Sequence, residues 1–120
     1  MRVFNKQITT ATPLNVNNSS DAVPLKSIYM YNIVAIITGT PTGNIKLQAS
    51  NDPETNDSIP LPAPTNWVDI GDSGFALTSA GNTMWNVREI GYNYVRVVYT
   101  DISGGTSTAT MTVIFNGKGV

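Results

Sequence analysis

Three acidic side chains stand close together in the middle of the sequence and could form a metal site. Asp52, Glu54 and Asp57 could gather around a hard cation such as Ca²⁺, which takes roughly six to eight oxygen ligands. Their spacing matches no defined calcium loop, and Pro53 stiffens the path between the first two. A solvated loop is therefore favoured, and we predict no metal and no cofactor.

Paired carboxylates could instead hydrolyse a glycosidic bond, which requires two acids across a cleft, one of them with a raised pKa. Burial in an apolar strand would raise a carboxyl pKa, but none of the eight acids stands inside an apolar strand. Glu89 comes closest, and its neighbour Arg88 indicates an exposed pair. Asp69 and Asp72 flank Gly71 and are typical of turns. We predict no catalytic residues and no enzymatic activity.

Two absences and a low charge narrow the function classes further. The chain has no cysteine and no histidine, which excludes disulfides, thiolate metal sites and the commonest general base near neutral pH. A net charge of −1 with scattered Lys and Arg gives no basic stripe for nucleic acid. The longest apolar run, residues 29–37, is too short to span a bilayer, and the N-terminus lacks a signal-peptide core. We therefore expect synthesis in a cytoplasm and no nucleic-acid or membrane partner.

The two tryptophans allow either a carbohydrate platform or a core. Aromatic faces stack on sugar rings, but aromatic residues in β-sandwiches are mostly core, and Trp67 and Trp85 both stand among alternating strand positions. A core position is favoured for each, and glycan binding remains the alternative. Tyr29, Tyr31 and Tyr99 are interpreted in the same way. Tyr92 and Tyr94 are the tyrosines most expected at a sheet end, with a hydroxyl touching solvent.

Arg96 stands in the middle of an apolar strand, between Val95 and Val97. It could form an ion pair with Asp69 or Glu89 of a neighbouring subunit, since the guanidinium fork suits carboxylates. A solvent-facing position with the side-chain stem packed along the sheet is favoured. The glycines form no phosphate-binding pattern such as GxGxxG.

Period-two alternation indicates an all-β chain. Ala109, Met111, Val113 and Phe115 point one way and the intervening threonines the other. The run Ile45–Ala49 alternates similarly, and Val95, Val97 and Tyr99 share a face. Residues 83–90 suit one helical turn or a short strand. About eight strands are predicted, near residues 2–10, 13–17, 24–37 (with a break allowed for), 44–50, 66–70, 74–79, 83–87, 93–100 and 106–116.

Turn residues separate these runs. Residues 40–44 (TPTGN) predict a hairpin between the central strand and the strand at 44–50, and Ser103–Gly105 predicts a second one. Residues 51–65 form a long proline-rich loop, because proline cannot donate to an interior ladder. The prediction is a single domain over residues 1–120, an antiparallel β-sandwich of jelly-roll type, in which residues 1–12 could be an extended arm.

The run 29–37 is apolar on both faces, which is typical of a strand covered on both sides. A two-layer sandwich covers one face of each sheet, so Ile28, Met30, Val34 and Ile36 would need a second cover. A neighbouring copy could supply it. We therefore predict a homo-oligomer, with a trimer favoured.

The skeleton QASND (48–52), NW (66–67), WNV (85–87) and GYNYVRVVY (91–99), followed by a Thr/Gly-rich strand and the ending FNGKG (115–119), resembles small virion structural proteins of tailed bacteriophages. The resemblance covers residues 33–119. It implies a particle component on a head, neck, tail or fibre, located in the virion beside other virion proteins. A more distant resemblance to discoidin-like domains implies a jelly-roll sandwich and transfers no binding residue.

Overall fold

The computed structural model describes residues 2–53, 63–88 and 90–119. These residues contain ten strands and no helix, which confirms the predicted all-β class. The strands are β1 (Arg2–Pro13), β2 (Asn18–Ser19), β3 (Val23–Pro24), β4 (Ile28–Thr38), β5 (Gly43–Ser50), β6 (Val68–Asp69), β7 (Phe75–Leu77), β8 (Gly81–Val87), β9 (Tyr94–Asp101) and β10 (Thr110–Gly119).

The strands form two antiparallel sheets, as expected for a β-sandwich. Sheet A has four strands in the order β1-β10-β4-β8. Sheet B has six strands, with β2-β9-β5-β6 as its path, and β3 and β7 pairing with β9 and β5. Since β2 and β3 share one partner, and β6 and β7 share another, each pair acts as one interrupted strand. Counted in this way, the sandwich has eight strands, which agrees with the approximate number predicted.

Both predicted hairpins are wrong, although antiparallel pairing is correct. The turn at residues 40–44 leads from β4 in sheet A to β5 in sheet B, and Ser103–Gly105 leads from β9 in sheet B to β10 in sheet A. Turn residues reverse the chain direction, but they do not dictate whether the next strand pairs within the layer or crosses to the other one. Pro41 is fully buried at the first crossing.

The core lies between the inner faces of the two sheets. Phe115 on β10 is fully buried, and its ring stacks on Tyr31 of β4 at 5.4 Å between ring centroids. The predicted inward sets on β5, β9 and β10 are confirmed: they are Ile45, Leu47, Ala49, Val95, Val97, Tyr99, Ala109, Met111, Val113 and Phe115. Strict alternation places them on one side of each strand.

The strand ends predicted from the sequence are less accurate than the inward faces. Of the strand predicted at residues 13–17, Pro13 is the end of β1 and residues 14–17 are not strand; Leu14 is fully buried, and its backbone N–H donates to the carbonyl of Ala109. The break allowed for in residues 24–37 lies between β3 and β4. Residues 81–87 are strand and not a helical turn, because they pair with β4. Residues 2–13 pair with β10 of the same chain.

Candidate functional site

The outer face of sheet A carries a cluster of apolar side chains at its centre. Val34 on β4 lies directly opposite Met84 on β8 and Ile114 on β10. Met30 and Ile36 flank Val34 along the same face of β4. Met84 is 56% exposed, and the other four are half-buried. We call Met30, Val34, Ile36, Met84 and Ile114 the apolar patch.

Three of the four side chains predicted to need a second cover therefore belong to the apolar patch. The exception is Ile28, which packs against the core. A register shift between Lys118 and Gly119 leaves Tyr29 without a partner on β10 and turns Ile28 to the inner face. Within one chain β4 is covered on its inner face, and the cover of its outer face by a neighbouring copy stays a prediction.

The border of the apolar patch is polar, with positive charges at one end only. The register places Asn82 beside Ile36, and Asn86 beside Asn32, which lies opposite Asn116. Among the described side chains on this face, two are charged: Lys118 lies opposite Met30, and Arg88, just after β8, lines the same cavity as Met30 and Lys118. Because both cations lie at the Met30 end, the centre of the apolar patch and its Ile36 end can lie against a copy without opposing like charges.

The outer face of sheet B is different, because it carries a network of polar and charged groups. Arg96 Nε and Nη2 donate to Gln48 Oε1 at 3.0 and 2.7 Å. Gln48 Nε2 donates to Asp69 Oδ1, and Lys46 Nζ donates to Asp69 Oδ2, both at 2.9 Å. The hydrogen bond from the Gln48 side chain has the largest effect in lowering the pKa of Asp69, and the hydrogen bond from Lys46 lowers it further.

Arg96 thus lies on the outer face of sheet B, as favoured from the sequence, with partners inside its own chain. Its guanidinium carbon lies 4.2 Å from the centre of the Trp67 ring. Partial burial lowers the pKa of Arg96. Asp69, one of the two acids considered for an intersubunit pair, is bonded to Lys46 and Gln48, and Glu89 lies outside the described residues. Gln48 and Lys46 were not predicted to take part in this network. Their period-two spacing on β5, which places both on the outer face of sheet B, was the available signal.

The two tryptophans have different positions. Trp85 faces inward opposite Ile33, packs against the core and donates its indole N–H to the carbonyl of Ser73 at 2.9 Å. The core prediction is therefore correct for Trp85. Trp67 is half-buried against the outer face of sheet B, where Arg96 lies over one face of its ring. For Trp67 the core prediction is wrong, because the residue precedes β6 rather than lying within a paired strand.

A groove of about 610 Å³ opens at one end of sheet B, between the end of β5, β6 and residues 91–92. Asp52 lines it, but the carboxylate of Asp52 already accepts hydrogen bonds from the backbone N–H of Thr65 and from the backbone and side chain of Asn66. These bonds lower the pKa of Asp52, that of the Asn66 side chain having the largest effect. Asp52 therefore acts as a loop anchor.

The calcium hypothesis has no support from the part of the chain that the structure describes. Glu54 and Asp57 lie outside the described residues. Among residues 2–53, 63–88 and 90–119, no three acidic side chains come close enough together to hold a metal ion. The pKa of Asp52, Asp69 and Asp101 is lowered, each chiefly by a side-chain hydrogen bond. A glycosidase acid needs the opposite shift.

Two tyrosines meet beside the groove. The hydroxyl groups of Tyr31 and Tyr92 lie 2.6 Å apart, and burial raises the pKa of both side chains. Tyr92 lines the groove, which agrees with its predicted place at a sheet end. Tyr94 is the first residue of β9, as expected for a sheet end, and is only 7% exposed. Tyr29 is 45% exposed, whereas Tyr99 is buried and donates to the carbonyl of Leu14.

The fold is similar to that of a prophage protein. The crystal structure of the SPBc2 prophage-derived protein YomS matches with a TM-score of 0.61 at 12% sequence identity, over 97% of this chain and 92% of that one. At this identity the likeness shows a shared fold. The Tobacco streak virus coat protein, solved as a dimer, matches with a TM-score of 0.44 at 12% identity, over 99% of this chain and 86% of that one. That likeness is too weak to argue from.

Comparison with protein-family models gives no match, and comparison with curated proteins gives none. Within the described residues there is no helix long and apolar enough to cross a membrane.

Proposed function

We propose that this protein is a non-enzymatic structural component of a bacteriophage particle, acting by association of its copies. The observation that carries the proposal is the apolar patch on the outer face of sheet A. The shared fold with a prophage-derived protein supports a phage setting. The chain would belong to a head decoration, a neck or tail piece, or a fibre, among other virion proteins.

A second copy is the occupant that best suits the apolar patch. Covering apolar surface stabilises an interface by roughly 25 cal/mol per Å² removed from water. The patch has Met84 at 56% exposure and half-buried neighbours across three strands, so the uncovered surface is continuous. Its centre and its Ile36 end carry no charge, which suits contact with an identical face better than contact with a strongly charged partner.

The chemistry of the side chains supports a non-enzymatic function. The sequence has no histidine or cysteine. The aspartates with shifted pKa values are held ionised by loop and sheet contacts, so they suit structural anchoring better than proton donation. Carbohydrate binding is less well supported, because Arg96 occupies one face of Trp67 and Trp85 faces inward.

The strand order supports a jelly roll as the fold type. With β2–β3 and β6–β7 each taken as one interrupted strand, the two layers have four strands each, and most connections cross between them. The trimer favoured from the sequence stays a prediction.

The test of the proposal is the mass of the native protein, measured by light scattering at micromolar concentration. We expect a multiple of 12.9 kDa for the natural chain. Ile114→Lys places a charge at the centre of the apolar patch and should lower the mass. Thr100→Lys, on the exposed outer face of sheet B, is the matched control and should not. Circular dichroism of each variant checks that it folds.

Mass spectrometry of purified phage particles tests whether the protein is a component of the particle. We expect the protein in particles of the phage or prophage that encodes it, in many copies. A monomeric natural chain, or its absence from those particles, would overturn the proposal.

A further inference from the structure

Among residues 2–53, 63–88 and 90–119, none forms a second partner strand for β8, at the edge of sheet A. β8 is the outermost strand of the sheet and pairs with β4 alone, over Gly81–Val87. In the described part of the chain, no other backbone or side-chain group bonds to the backbone of these residues. One row of backbone N–H and C=O groups on β8 thus has no partner within the described residues and can pair with another strand.

This edge also lacks the features that usually prevent strand addition. Its residues, GNTMWNV, include no charged side chain and no proline, and the register with β4 is unbroken. The opposite edge of the same sheet, β1, contains Lys6, Pro13 and two register shifts, with a positive φ of 45° at Ala11. Charges, proline and bulges protect natural edges from pairing. One edge of sheet A is therefore protected and the other is open.

We propose that β8 pairs antiparallel with β8 of a second copy, about a two-fold axis that passes beside Met84. This inference rests on the proposed function and specifies how two copies meet. Met84 is the middle residue of β8, so this axis pairs all seven residues of each strand. An axis at Thr83 or Trp85 would shorten the ladder. A two-fold axis perpendicular to the sheet keeps outward-facing residues opposite outward-facing residues.

The pairing brings self-complementary side chains together. Asn82 of each copy would lie opposite Asn86 of the other, and side-chain amides can both donate and accept. Met84 of the two copies would lie side by side, which covers part of the most exposed side chain of the apolar patch. Sheet A would become one sheet of eight strands, with both apolar patches on the same side. That surface stays free for contact with further copies.

Cysteine cross-linking tests the axis directly, because the natural chain has no cysteine. Residues directly opposite in an antiparallel pair have Cα atoms about 4.5–5.5 Å apart, within the range for a disulfide. We expect Met84→Cys to form a disulfide-linked dimer under mild oxidation. Asn82→Cys alone should not, because its two copies would be about 14 Å apart along the strands at about 3.4 Å per residue. A mixture of Asn82→Cys and Asn86→Cys should cross-link.

A charge test uses the same register without cysteine. The chain with Asn82→Lys and Asn86→Lys places like charges opposite each other twice and should lose the two-fold contact. The chain with Asn82→Lys and Asn86→Asp places opposite charges there and should keep it. Residues 82 and 86 of one chain are too far apart along the strand to interact, so the difference reports the contact between copies. Light scattering measures both variants.

The outcomes separate this inference from the proposed function. If Met84→Cys fails to cross-link while the natural chain is larger than a monomer, the β8 axis is wrong and assembly uses another surface. The axis is also wrong if Asn82→Cys alone cross-links as readily as Met84→Cys. A monomeric natural chain overturns both proposals.

Discussion

The guanidinium carbon of Arg96 lies 4.2 Å from the centre of the Trp67 ring, on the outer face of sheet B. The same guanidinium donates twice to Gln48, so Arg96 is held by a ring on one side and an amide on the other. The contact joins β9 to the segment just before β6, although those two strands do not pair with each other. It stabilises that segment against sheet B.

A double-mutant cycle tests this contact. We expect Arg96→Ala and Trp67→Ala each to lower the free energy of unfolding, with a coupling of about 0.5–1 kcal/mol, as for cation–π pairs near a protein surface. Urea denaturation of the two single variants and the double variant measures it. Arg96→Lys is the control that keeps the charge but loses the two-pronged bond to Gln48. Additive effects of the two alanine variants would contradict the contact.

The Tyr31–Tyr92 pair predicts a loss of stability at alkaline pH. Burial raises the pKa of both hydroxyl groups above the unfolded value of about 10, so folding favours their protonated forms. That stability is fully present below about pH 10 and is lost as the pH rises further. Unfolding in urea at pH 8 and above pH 10 measures the slope. The double variant Tyr31→Phe with Tyr92→Phe should lose less stability on this alkaline side, and an unchanged slope would contradict the prediction.

The hydrogen bonds to Asp52 predict a loss of folding stability in acid. The hydrogen bond from the Asn66 side chain, followed by the backbone bonds from Thr65 and Asn66, lowers its pKa below the unfolded value of about 3.9. The resulting stability is present above that pH and is lost as the pH falls through the folded pKa. We expect Asp52→Asn to flatten the acid side of the stability curve, measured by thermal unfolding. Asp21→Asn is the control, since no described group donates to its carboxylate. Equal flattening in both variants would contradict this assignment.

Gly43, at the first crossing between the sheets, lies where there is no room for a side chain. A Cβ atom there would overlap the carbonyl oxygen of Thr100 and the buried hydroxyl of Tyr99. We expect Gly43→Ala to cost about 1–3 kcal/mol of folding free energy, as overpacking in a core does. Gly71→Ala is the matched control, because a Cβ atom there has no neighbour within 4 Å, and it should change stability by at most about 0.5 kcal/mol. Chemical denaturation compares them, and similar costs would show that the site has room.

Sequence reasoning predicted the inward faces well because alternation depends only on neighbouring residues. Phe115 and its period-two partners lie inward as expected. It failed at Trp67, whose half-buried position depends on where β6 begins and on what packs over its ring. The uncovered apolar surface on β4 was predicted, but Met84 and Ile114 were not assigned to it. Their place beside Val34 depends on the strand order in sheet A.

The amino-acid sequence alone determined the all-β class, the inward face of each long strand and the lack of imidazole and thiol groups, because these follow from residue types and local periodicity. Only the tertiary structure decided that both glycine-rich turns cross between the layers, that the apolar patch is continuous, and that β8 is an open edge. Strand order is set by how the two sheets bury their inner faces together. That burial involves residues far apart in the chain, so no local pattern can specify it.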